Sequence, residues 1–284
     1  VTLDGVVQDA NAPLLCADDL AAVRGDGAFE TVLVRGGSPR TIELHLTRFA
    51  NSAAMLDLPR PDLDAWRAAV AVAADEWGVE REGAMRLVLS RGRESGGDPT
   101  AYVTVAPIAD RVAAARRDGV SVCTLERGFS VDVVRTAPWL LLGAKTLSYA
   151  TNMAAVRYAQ SKGMDDVIFT SSEGLVLEGP RSTVLIARGR TLITPPVEHG
   201  ILPGTTQQAL FAVAGAHAFR CETAALRPAD LIAADGVWLL SSVTLAARVH
   251  TLDGLPLPEP DVADELSGLV DLAVETVGVE ADAA

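Results

Sequence analysis

Lysine is nearly missing from this 284-residue chain, which carries only Lys145 and Lys162 beside 22 arginines. Basic residues number 24 against 37 acidic ones, a formal charge of −13. That balance speaks against a nucleic-acid binder, whose affinity depends on cations neutralising phosphates. Cysteine is scarce too. Cys16, Cys123 and Cys221 are odd in number and far apart, so they match no zinc spacing and no disulfide framework. No apolar run reaches the ~18–20 residues that span a bilayer, and the opening VTLDGVVQDANAPLL has no basic leader segment. HExxH, GxSxG, GxGxxG and Walker patterns are absent. These absences lead us to expect a soluble cytoplasmic protein with no metal, no nucleic-acid partner and no membrane partner.

Apolar residues make up 49% of the chain, enough for a substantial core and against wholesale disorder. LDGVV at 3–7 and AFETVLV at 28–34 are short, β-branched and bounded by glycine, hence predicted strands. A GGS turn leads to a further expected strand, PRTIEL. HLTRFANSAAMLDL spaces Leu46, Phe49, Ala53 and Leu56 as a helix does. A second helix is expected over 61–77, with Asp62 near its start. MRLVLSRG and AYVTVAPI read as strands. The polar stretch ADRVAAARRDG, at 109–119, is the best domain boundary. It separates an N-terminal α/β domain at 1–110 from a larger C-terminal domain at 111–284. The latter opens with VSVCTLE and a helix over 149–162. The strands DVIFTS, LVLEG, STVLIAR and TLITP follow, then a helix from about Thr206, the strand GVWLLSS and a last helix over 261–277. The class is α+β in two lobes.

With lysine so rare, each one invites a question. Codon bias accounts for the rarity, yet Lys145 follows PWLLLGA, where an ammonium is partly desolvated and the free amine is favoured. Such an amine can act as nucleophile or base. A snorkelling strand-end lysine is the plainer alternative. Lys162, at a helix end beside acidic residues, reads as a solvated C-terminal lysine. HGILPGTT at 199–206 sets Gly204, Thr205 and Thr206 at a helix start, either an anion cradle or a plain cap. SSVT at 241–244 is a second hydroxyl-rich turn. Arg48 stands on a helix with an apolar face and could pair with a phosphate or a carboxylate. Glu178, after an apolar run, needs a donor such as a protonated ring nitrogen or Arg181.

In order, RGDGAFET, HLTRF, AKTLSYATN, LEGPRST, GILPGTT and SSVT resemble the class IV, fold-type-IV pyridoxal-phosphate enzymes over nearly the whole chain. That family includes branched-chain aminotransferases, D-amino-acid transaminases and aminodeoxychorismate lyases. The resemblance implies a two-domain homodimer with a barrel-like sheet in the larger domain and pyridoxal 5'-phosphate in the interdomain cleft. Lys145 would bond the cofactor and act as the catalytic base. Glu178 would keep the pyridine nitrogen protonated, and Leu202 would pack against the ring. Arg48, Gly204, Thr205 and Thr206, with Ser242 or Thr244, would hold the phosphate. Phe29, Glu30 and Tyr149 would line the substrate side, and Arg24, Arg91 or Arg93 would meet a substrate carboxylate.

The chain departs from the transaminase patterns. D-amino-acid transaminases commonly carry Tyr where Phe29 stands, and an Arg-x-His after SRG where this chain has GRESGGDPT. Tyr149 is one residue short of the branched-chain spacing. Ser148 and Thr183 occupy positions where related enzymes often have Asn. SRG and RGDGAFET look more like an aminodeoxychorismate lyase, which releases pyruvate and forms 4-aminobenzoate for folate. The alternative is an aminotransferase on D-alanine or a branched-chain amino acid with 2-oxoglutarate. A non-catalytic binding dimer on the same fold would not require Lys145.

Overall fold

The computed structural model describes residues 1–278; the last six positions of the expected 111–284 domain lie outside the described residues. The chain forms two compact units. One is Val1–Ile108 together with Ala144–Tyr149, and the other is Ala109–Gly143 and the chain from Ala150 onward. The stretch around Lys145, expected in the C-terminal domain, therefore belongs to the first unit. Among the described residues no helix is long and apolar enough to cross a membrane.

The first unit contains α1 (Leu20–Val23), β1 (Gly27–Arg35), β2 (Ser38–Pro39), α2 (Ile42–Met55), α3 (Leu63–Trp77), β3 (Gly83–Ser90) and β4 (Thr100–Pro107). Its four strands form an antiparallel sheet in the order β2-β1-β3-β4. Alternation along β1 buries Ala28, Glu30, Val32 and Val34 completely. Helix α2 buries the apolar row Leu46, Phe49 and Ala53 and, beside it, the polar row His45, Arg48 and Ser52. Phe49 meets Trp66 of α3 edge to face, with centroids 4.9 Å apart. Asp62 caps α3 by accepting from the Asp64 and Ala65 N–H groups, as its sequence position suggests.

The expected strand PRTIEL does not form. Pairing stops at Pro39, which has no N–H to donate, and Thr41 turns the chain at φ +50°. From Ile42 the apolar spacing is helical, and α2 begins there. Residues 3–7 likewise form no strand; the N-terminal segment makes only a bridge from Thr2 to Tyr102.

The second unit runs α4 (Asp110–Asp118), β5 (Val120–Glu126), α5 (Val133–Thr136), a 3₁₀ turn (Pro138–Leu140), α6 (Ala150–Ser161), β6 (Asp166–Thr170), β7 (Thr183–Arg188) and β8 (Thr191–Thr194). It continues with α7 (Thr205–Ala214), β9 (Arg220–Thr223), α8 (Pro228–Ile232), β10 (Gly236–Ser241), β11 (Leu245–Leu252), β12 (Leu255–Pro256) and α9 (Ala263–Thr276). The strands make one mixed sheet, β6-β5-β11-β10-β7-β8-β9, with β12 added beside β11. Strand alternation splits the core. Val122, Ile168, Val184, Ile186, Val237 and Leu239 pack in one cluster, while Val167 and Phe169 join Ala159, Leu177 and Ile201 in another.

LVLEG was expected as a strand and lacks a continuous ladder. The Val176 N–H donates to Leu226 O, whereas the Leu177 N–H donates to Phe169 O. The segment bridges different neighbours, which brings Glu178 out at the end of a buried run.

Candidate active site

In the first unit, Lys145 is tied down through its backbone. Its N–H donates to Ser52 Oγ at 3.0 Å, and its carbonyl accepts from the Phe29 N–H at 3.0 Å. The Leu147 N–H continues the pairing onto Gly27 O. Gly27 has to be glycine there, because a Cβ would collide with Leu89 O and the Leu147 side chain. The lysine side chain lies with Nζ 4.4 Å from the Phe29 ring centroid and 5.7 Å from that of Tyr149. The two rings meet edge to face at 5.4 Å.

A fully buried carboxylate sits one residue along β1. Glu30 accepts two bonds from Arg48, Nε at 2.8 Å and Nη2 at 2.7 Å, and a third contact comes from His45 Nδ1 at 2.7 Å. Burial pushes the Glu30 pKa up, but the guanidinium and the imidazole win and hold it well below the usual carboxylate range. Burial also lowers the pKa of His45, with Arg48 and Lys145 adding repulsion. An ionised Glu30 can only accept, so His45 Nδ1 is the donor in that contact. This corrects the expectation for Glu30: it faces the core as the orienting partner of Arg48, not a substrate. Arg48 itself is buried.

The three candidate carboxylate-binding arginines are already engaged. Arg91 grips Asp26 through Nε at 2.7 Å and Nη2 at 3.2 Å, and Nη2 also donates to Leu56 O at 2.6 Å. It therefore fastens loops of the first unit together, which is a different role from the one expected. Arg93 pairs with Asp18 at 2.9 Å and Arg24 with Glu94 at 3.2 Å, both in exposed positions.

The second unit assembles the remaining candidates. Glu178 Oε2 accepts from the Leu202 N–H at 3.0 Å, so the carboxylate is fixed by the loop that precedes α7. Gly204 occupies the cap position of α7, and a Cβ there would strike Thr183 Oγ1. Gly204 brings no capping side chain of its own to the first-turn N–H groups of α7. Thr205 and Thr206 are buried in that turn, and Thr205 Oγ1 lies 3.2 Å from Ser242 Oγ. Thr244 belongs to the turn after β10, where its N–H donates to Ser241 Oγ at 3.3 Å. Two hydroxyl-rich turns thus meet at a helix start, as an anion site requires.

Several supports escaped the sequence reading. Ser52 and His45 lie on α2 in the same buried row as Arg48, a helical spacing visible in hindsight as 45, 48 and 52. Asn152 Nδ2 donates to Pro180 O at 2.6 Å and steadies the turn after Glu178. Arg116 Nε of α4 donates to Val243 O at 3.2 Å and steadies the turn of Ser242 and Thr244.

Known proteins resemble this chain over most of its length. The family model for amino-transferase class IV matches residues 27–252. A bifunctional aminodeoxychorismate lyase / D-amino acid transaminase of Mycobacterium tuberculosis is 56% identical, covering 96% of this chain and 98% of the relative. A solved structure described as a hypothetical aminotransferase from Mycobacterium tuberculosis, PLP-bound form, superposes with a TM-score of 0.95 at 57% identity, over 96% of this chain and 98% of that one. A fold IV-transaminase from Curtobacterium pusillum gives a TM-score of 0.89 at 42% identity, over 95% and 90% of the two chains.

Proposed function

Given that the chain belongs to the class IV aminotransferase family, we propose that it is a 4-amino-4-deoxychorismate lyase, forming 4-aminobenzoate and pyruvate for folate synthesis. The observation that carries the choice is the state of the loop after β3. It has no histidine, and Arg91 and Arg93 on it are each paired with an aspartate. An Arg-x-His clamp for an amino-acid α-carboxylate is therefore missing. The second reading, transamination of D-alanine or a branched-chain amino acid, is favoured by the bifunctional relative. Both begin with the same proton abstraction.

The cofactor is pyridoxal 5'-phosphate, and the donor set suits it. A buried arginine held by a carboxylate, a helix start with glycine at its cap and paired hydroxyls suit a phosphate; a fixed glutamate suits a protonated ring nitrogen. When bound, it supplies an electron sink for the bond being broken at the substrate. Lys145 would bond it covalently, and the free amine of Lys145 would take the proton from the amine-bearing carbon of the substrate. Glu178 would keep the ring nitrogen protonated, and Leu202 would pack beside the ring. Arg48, oriented by Glu30, would serve the phosphate, as would Gly204, Thr205, Thr206 and Ser242 or Thr244. In the lyase reaction the neighbouring C–O bond then breaks, the enolpyruvyl group leaves and becomes pyruvate, and the carbocycle becomes aromatic. We read the enzyme as a cytoplasmic homodimer, in keeping with its unpaired cysteines and acidic balance.

The test is 4-aminobenzoate formation from freshly generated aminodeoxychorismate by cofactor-loaded protein, followed by fluorescence-detected chromatography. Product that vanishes in Lys145→Ala supports the lyase. No product from loaded protein rejects it, and D-alanine and leucine with 2-oxoglutarate become the next substrates. Glu178→Gln should retain cofactor while losing about 10²-fold in rate; an unchanged rate would remove Glu178 from its role.

A further inference from the structure

The sequence offered Phe29 and Tyr149 as substrate contacts, but the structure gives their ring faces to the lysine. Lys145 Nζ lies 4.4 Å from the Phe29 centroid, well inside the range where a ring quadrupole attracts an ammonium. The Tyr149 ring at 5.7 Å is the outer wall of the same contact. The rings stand at 87° to each other, so each fixes the other's orientation. Their backbones are locked to the lysine as well. The Phe29 N–H bonds Lys145 O, and the Tyr149 N–H bonds Leu147 O within the same short segment. Ring, strand and amine thus form one small rigid assembly within the first unit.

We propose that Phe29 and Tyr149 form an aromatic seat for the charged form of Lys145, making both positioning residues for its proton transfer. The inference rests on the lyase reading for its kinetic consequence and on geometry alone for the seat. In the step concerned, the C–H bond at the amine-bearing carbon breaks and its proton forms the third N–H bond on Lys145. The electron pair finally departs with the enolpyruvyl oxygen, which takes the proton back from Lys145. Between those events the amine is an ammonium. The seat stabilises it and keeps it aimed, so the lysine is a stronger and better-placed base than a freely moving one.

The chain's two lysines make the seat directly measurable. In cofactor-free full-length protein labelled with ¹³C-lysine, only Lys145 and Lys162 give side-chain Hε–Cε signals. Ring faces shield the Lys145 methylene, moving it upfield of its position in the denatured chain. Phe29→Leu should abolish most of that displacement. In the loaded enzyme the same variant should lower kcat about 3- to 10-fold, the worth of a cation–π contact, with KM within about twofold. Tyr149→Leu should act in the same direction more weakly, and Tyr149→Phe should recover the loss. An unshielded wild-type signal, or one unmoved by Phe29→Leu, overturns the seat. So does a signal that moves while kcat stays constant in both leucine variants. Should Phe29→Leu fail to fold, Tyr149→Leu and Tyr149→Phe decide. Should the loaded protein make no 4-aminobenzoate, the lyase reading fails by itself, and the seat stands or falls on the spectra.

Discussion

Both lysines of this chain rest near an aromatic ring, yet their settings differ. Lys162 follows the last turn of α6, exposed, with Nζ 5.6 Å from the ring of Tyr158, itself 52% exposed. Among the described residues, that ring is the company its amine keeps. Lys145 has its N–H fixed by Ser52, its carbonyl fixed by Phe29, two crossed rings at its amine and a buried ion pair alongside. An aromatic neighbour is therefore common ground. What sets Lys145 apart is a backbone held by residues distant in the chain, Ser52 and Phe29, whereas the Lys162 N–H bonds its own helix at Ala159 O.

The sharpest break between the two is truncation. Lys145→Ala should cost about 10³-fold or more in kcat/KM and remove the visible band of the bound cofactor, whereas Lys162→Ala should leave both within about twofold. Equal losses in the two variants would dissolve the comparison.

Next in size is the ion pair beside Lys145, which has no counterpart at Lys162. Glu30→Gln leaves a buried guanidinium with a neutral partner and should lower unfolding stability by about 3–5 kcal/mol, read by chemical denaturation. Its sign with pH follows from the lowered Glu30 pKa. The native state favours the carboxylate, so this stability is fully present above the unfolded glutamate value of about 4.3 and shrinks as pH falls below it. The denaturation curves of wild type and Glu30→Gln should draw together on acidification; a gap that widens would contradict an ionised Glu30.

Smaller again is the peg under the lysine backbone. Ser52→Ala removes the hydroxyl that accepts from the Lys145 N–H and should cost about 1 kcal/mol of stability. Its kcat should fall while the Lys162 environment, followed by its lysine signal, stays put. Last comes Tyr158→Leu, which should change stability by no more than about 0.5 kcal/mol and leave turnover unaltered. A larger effect would show that the exposed ring has a purpose of its own.

Much of this could be read from the chain. The helical period of α2 and α3 and the cap at Asp62 are local signals, and local physics decides them; the apolar run before Lys145 misled, because Trp139 and Leu140 stand 75% and 45% exposed instead of packing around the amine. What escaped was long-range or two-faced. PRTIEL looked like a strand until Thr41 turned the backbone and the following apolar spacing took over. LVLEG has the composition of a strand, but its amides find different neighbours. Glu30 looked like a pocket residue because nothing in GAFET announces a partner on the next helix; only β1 alternation places it beside Arg48 and His45. Arg91 looked available because Asp26, 65 residues earlier in the chain, gave no sign of claiming it.

The short stretch Ala144–Tyr149 also bears on inheritance. It lies in the sequence among residues of the second unit, yet it pairs with β1 of the first. A gene crossover near codon 109 would pass Lys145 on with one parent and Phe29, Ser52 and Arg48 with the other. Such a chimera receives Lys145 and the residues that hold its backbone, Ser52 and Phe29, from different ancestors. Exchange between diverged copies is therefore penalised at the boundary where a two-unit protein would otherwise recombine most freely, and Phe29, Ser52 and Lys145 should travel through descent as one linked block.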